Sequence, residues 1–114
     1  MANAFLSETD TAVGTSPATI YTCPASTETT IIGLSIANIV TSQITVSVKL
    51  NGSGRTSGAV DDVYMVKDAP VPVGGTLVVV GGDQKLVMEP GDTVTVESDT
   101  ASSADVILSH LDIT

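Results

Sequence analysis

Apolar and polar residues alternate along much of the chain with the two-residue period of β-strands. The clearest run is residues 43–50, where Ile44, Val46, Val48 and Leu50 alternate with Thr45, Ser47 and Lys49. One face of this strand is expected to be buried and the other wet, and Asn51-Gly52 follows as a turn dipeptide. Residues 29–39 form a longer run, read with Ile32, Leu34 and Ile36 on one face and Ile31, Gly33, Ser35 and Ala37 on the other. Both faces are apolar or small, which predicts a central strand covered on both sides. Gly33 predicts a bulge or a close backbone approach.

Shorter runs complete the pattern. Residues 18–23 lie between Pro17 and Pro24, and residues 60–66 carry Val60, Tyr64 and Val66 as apolar anchors. Residues 69–75 contain Pro70 and Pro72, which cannot donate to a central ladder, so this stretch is an edge or a connection. Residues 76–80 and 84–88 read as strands around Gly81-Gly82-Asp83. Glu89-Pro90-Gly91-Asp92 reads as a tight turn, with proline at its second position and glycine taking positive φ at its third. Residues 93–97 turn Val94 and Val96 inward, residues 98–103 form a polar loop, and residues 106–113 close the chain as a strand. Residues 2–6 add a short first strand.

About eight strands, close turns and no helical period specify an all-β fold. We expect a compact antiparallel β-sandwich, jelly-roll-like. Residues 1–15 are read as an N-terminal arm or short first strand, and residues 16–114 as a single β-sandwich domain.

Composition sharpens this picture. Aromatic residues make up only 3% of the chain, Phe5, Tyr21 and Tyr64, so the core must be built from many small aliphatic side chains. Each contributes on the order of 1.5–3 kcal/mol when buried. Thirteen acidic residues against four basic ones give a formal net charge of −9. That balance repels phosphate backbones and anionic lipid, so neither nucleic acid nor membrane is an expected partner. The amino terminus lacks the basic start and apolar run of a secretory signal, and no stretch is long enough to span a bilayer, so synthesis and folding in cytoplasm are expected.

Candidate chemistry is sparse. Cys23 is the single cysteine, with no cation near it in sequence, and reads as a small buried group. His110 is the single histidine, and its neighbour Ser109 points to the opposite face of a strand, so no triad is read and the histidine is taken as structural. One cysteine and one histidine cannot supply a structural zinc site. The aspartates Asp61, Asp62, Asp68, Asp83, Asp92, Asp99 and Asp105 fall mostly in loops and leave a calcium-dependent binding module as an alternative, without EF-hand spacing. The glycine pairs precede no helix and no GK[ST], so they are turn residues and not phosphate loops. Catalytic, cofactor and metal residues are therefore expected to be absent, and the chain is not expected to be an enzyme.

The run Ile31-Ile32-Gly33-Leu34-Ser35-Ile36-Ala37-Asn38, followed by Ile44-Thr45-Val46-Ser47-Val48, resembles small structural proteins of tailed double-stranded DNA phages. Residues 66–72, 75–86, 86–94 and 98–103 fit the same pattern of strands and turns. The resemblance implies a non-enzymatic virion component with a β-sandwich fold, located in the virion after synthesis in host cytoplasm. The leading expectation is a capsid decoration (cement) protein that binds the outer shell as an oligomer, a trimer being favoured, with the major capsid protein or other virion proteins as partners. A tail, neck or fibre-attachment component is the alternative. Phe5 and Leu6 are the candidate anchors of an N-terminal interaction arm.

Overall fold

The computed structural model describes residues 3–52, 62–81 and 84–114. Nine strands are present among them: β1 (Asn3–Val13), β2 (Ala18–Thr22), β3 (Glu28–Asn38), β4 (Ile44–Asn51), β5 (Val63–Val71), β6 (Thr76–Val80), β7 (Leu86–Met88), β8 (Thr93–Ser98) and β9 (Ala104–Ile113). They form two antiparallel sheets. The first runs β1-β9-β3-β6, with β7 pairing the other end of β3, and the second runs β2-β8-β4-β5. Apart from the short β7, this is the jelly-roll arrangement of two four-stranded sheets with strands crossing between them. Val60 and the Asp61 end of the expected strand at 60–66 lie outside the described residues.

The core between the sheets is aliphatic, as the composition requires. Ile31, Leu34, Ile36, Val106 and Leu108 from the first sheet meet Ile44, Val46, Val48, Val94 and Val96 from the second, all buried. β4 and β8 follow the expected alternation, with Val94 and Val96 inward. β3 is central, flanked by β9 on one side and by β6 and β7 on the other.

The face assignment on β3 needs correction. Ile31, not Ile32, joins Leu34 and Ile36 in the core, and Ile32 is only half-buried. The cause is a register shift against β9 between Ile31 and Gly33, a bulge that adds one residue and reverses the alternation upstream of it. The outer side of β3 is half-buried and carries no second layer.

Turn chemistry closes the sandwich. Gly91 has φ of 90°, and the amide of Asp92 donates to the Glu89 carbonyl at 3.0 Å, so the Glu89–Asp92 turn has the conformation the dipeptide Pro90-Gly91 demands. Pro70 lies in β5, which is the edge of its sheet and can spare the amide proline lacks. Asn38 is buried at the end of β3. Its Nδ2 donates to the carbonyls of Ser42 and Val71, while its Oδ1 accepts from the Val40 amide, fixing the crossing to the second sheet. In the polar loop, the Ser103 hydroxyl donates to the Thr100 carbonyl at 2.7 Å, which leaves Ser98 to donate to Ser103 at 2.6 Å.

The amino-terminal segment forms β1, an edge strand hydrogen-bonded to β9 from Asn3 to Asp10, so these residues are part of the first sheet. Its chain then bulges. Ala12 takes φ of 55°, and the Asp105 carboxylate accepts from the Thr11 hydroxyl and the Ala12 amide.

Candidate interaction face and a buried polar cluster

The alternation that builds the core also decides what each sheet shows to solvent. On β9 the even-numbered residues Ala104, Val106, Leu108 and His110 are fully buried, so Ile107, Ser109, Leu111 and Ile113 face outward. Pairing registers extend this into rows across the first sheet. Phe5, Leu111, Thr30 and Val87 form one row, Ser7, Ser109 and Gly33 the next, and Thr9, Ile107, Ser35 and Val78 the third. Phe5, Val78, Val87 and Ile107 are 53–76% exposed. None of the residues in these three rows is charged. Glu28 and Asp105 stand at two corners of the face, the second already engaged by Thr11 and Ala12, and the exposed Lys85 lies just before β7 at its edge.

The outer face of the second sheet is different. Thr45, Ser47, Lys49, Thr95 and Glu97 point outward from β4 and β8. Tyr64 on β5 lies beneath two cations, with the Lys49 and Lys67 ammonium groups 5.6 and 5.2 Å from its ring centroid. Lys49 also approaches Asp62 at 3.8 Å. A shallow depression lined by Thr45, Ser47, Tyr64, Lys67, Asp68 and Glu97 completes a polar, charged surface. One outer face of this sandwich is built for water; the other is flat, aliphatic and nearly uncharged.

The two anchors read from the sequence point to opposite sides of β1. Phe5 stands on the outer face beside Leu111, while Leu6 pairs with His110 and points to the other side of β1, where the sheet overhangs.

Beneath β1 lies a polar cluster that joins both sheets. His110 is fully buried, with Nδ1 2.8 Å from Asp112 Oδ1 and Nε2 3.0 Å from Glu8 Oε2. The ring is thus held between two carboxyl groups, one on each nitrogen. Asp112 also accepts from the Thr29 hydroxyl at 2.8 Å and the Tyr21 hydroxyl at 2.7 Å. The Tyr21 ring lies 4.0 Å from the imidazole, centroid to centroid. Burial alone would raise the Asp112 carboxyl, but hydrogen bonds from Tyr21, Thr29 and His110 outweigh it and hold the group below its ordinary value. Burial pushes the Tyr21 phenol up.

Cys23 adjoins this cluster. It is 1% exposed, its thiol lies 3.2 Å from the Thr27 carbonyl and 3.3 Å from the Thr29 hydroxyl, and burial pushes its pKa up. That environment favours the neutral thiol over a nucleophilic thiolate. Ser109 and His110 lie on opposite faces of β9.

The aspartates considered for calcium do not converge. Asp61 and Asp83 lie outside the described residues. Asp68 and Asp105 lie within strands, Asp92 is buried in the turn before β8, and Asp99 accepts from the Thr45 amide. Among the described residues, no group of three or more histidine, cysteine, aspartate or glutamate side chains is placed to hold a metal ion.

The sequence reading missed Glu8, Tyr21, Thr29 and Asp112. A signal for two of these interactions was present: inward-facing Ala104, Val106 and Leu108 continue in register to His110 and Asp112. Polar residues that extend an apolar face must find buried partners.

No protein-family model and no curated protein matches the chain. The fold is similar to that of a solved chain from Bacillus endospore appendages, described as a novel family of disulfide-linked pili. The TM-score is 0.56 at 17% identity, over 99% of this chain and 87% of that one. At that identity the likeness is one of fold.

Proposed function

We propose that this chain is a non-enzymatic structural subunit of a phage virion, a capsid decoration protein that binds the outer shell as an oligomer. The observation that carries the proposal is the contrast between the two outer faces. A soluble sandwich with one charged face and one flat aliphatic face is suited to lie against another protein surface. The aliphatic face comes from β1, β9, β3, β6 and β7, and the strand-and-turn sequences that resemble phage structural proteins supply part of it. Virion location and synthesis in host cytoplasm belong to the same proposal.

The pilus likeness favours a second structural reading, a tail, neck or fibre-attachment component, because a chain of similar fold comes from an extended protein fibre. Disulfide linkage is not part of either reading here, since Cys23 is buried within the sandwich.

Copy number separates these readings. Quantitative mass spectrometry of particles purified from cultures that express the chain should find hundreds of copies per particle for a decoration protein. A few copies would support the tail or fibre reading. Absence from the particles would overturn both.

A further inference from the structure

We infer that the outer face of the β1-β9-β3-β6 sheet pairs with the same face of a second copy of this chain. The inference rests on reading that face as a docking surface and is independent of the virion assignment.

Size is the first argument. Four strands about 4.8 Å apart, over the ten residues of β9 at about 3.3 Å each, give a face of about 600 Å² per copy. Two such faces together bury about 1,200 Å², the lower end of the range for stable, specific protein interfaces. Sheets of two sandwiches stack at about 10 Å when their facing side chains interdigitate. The row of Ser7, Ser109 and Gly33 is small, and it lies between the bulkier rows of Phe5, Leu111 and Val87 and of Ile107 and Val78. Bulky rows of one copy can therefore settle beside the smaller row of the other.

Charge is the second argument, and it selects the partner. Two copies of a −9 chain repel each other wherever their acids face. The three paired rows of this sheet carry no charged side chain, and Glu28 and Asp105 stand at its corners, so like copies can meet here with these charges at the rim. A basic partner would gain nothing from an uncharged face. The face would be isologous, the same patch on both copies, and such a contact closes at two.

Sedimentation velocity of the full chain over a concentration series tests the inference. The wild type should move from one to two chain masses, and added salt should strengthen association by screening the repulsion between copies. The variant V78E/I107E places two carboxylates on the aliphatic face, and it should weaken dimerisation by roughly 100-fold or more. A control, T19E/T22E, adds the same charge to exposed positions on β2 in the other sheet and should dimerise like the wild type. Far-UV circular dichroism of all three establishes that each is folded. A wild type that stays monomeric up to about 1 mM at high salt, a V78E/I107E protein that dimerises normally, or a three-chain species insensitive to it would overturn the inference. A monomer that is nonetheless present on particles would defeat this pairing and leave the virion proposal standing. A dimer absent from particles would do the reverse.

Discussion

Replacing Asp112 with alanine should be among the most damaging single changes in the protein. Its carboxylate accepts from Tyr21, Thr29 and His110, at 2.7, 2.8 and 2.8 Å. Removing it leaves the Thr29 hydroxyl and one nitrogen of His110 without that acceptor, both on residues with 0% exposure. Each buried group so orphaned costs about 1–3 kcal/mol. The Tyr21 hydroxyl is half-buried and can turn to water, so it adds less. The imidazole would also keep only the partly exposed Glu8 as a partner. These contributions overlap, so the expected loss is about 3–5 kcal/mol, a large share of the ~5–15 kcal/mol typical of a domain. With a urea m-value of about 2 kcal/mol/M, the midpoint should fall by roughly 2 M. Tyr21→Phe, which removes one hydrogen bond and leaves no orphan on Asp112, should cost only about 1 kcal/mol. A loss below about 1 kcal/mol for Asp112→Ala would refute the reasoning, because it would mean that the cluster contributes nothing beyond what water supplies.

Three further outcomes follow from the same structure. The Asp112 carboxyl is depressed in the folded state, so its contribution is present above the unfolded value near pH 3.9 and is lost as pH falls through the folded one. Urea midpoints measured between about pH 6 and pH 2 should therefore drop in that acid window, and Asp112→Asn should drop less steeply; equal slopes would contradict the assignment. Cys23 should react with a thiol reagent such as DTNB at least about 100-fold more slowly in the native protein than in denaturant, given its burial and raised pKa; comparable rates would place the thiol at the surface. Gly91→Ala forces a side chain into φ of 90° and should cost about 1 kcal/mol or more by denaturant titration, whereas no change would mean that the turn relaxes.

The fold was legible wherever one strand face is buried and the other wet. β4 and β8 carry that alternation openly, and Pro90-Gly91 names its own turn. β3 was legible as a central strand but not in its facing, because the bulge before Gly33 adds a residue that periodicity cannot count. β1 was legible only at its start. Residues 7–11 are Ser-Glu-Thr-Asp-Thr, and an edge strand with little cover on either side has no apolar rhythm to betray it. The buried cluster was hidden for another reason: Glu8 and His110 are 102 positions apart and meet only because β1 pairs with β9. The aliphatic face escaped notice because Val78, Val87 and Ile107 are each unremarkable in sequence and join Phe5 in one surface only when four strands set them side by side.

The central claim is that this sandwich works as a bound part of a larger particle. Immunogold labelling of purified phage particles, with antibody raised against the full chain, tests it most directly. Gold spread densely over the heads is the predicted result. Particles that carry no gold when intact and give no signal with the same antibody after denaturation would contradict the claim.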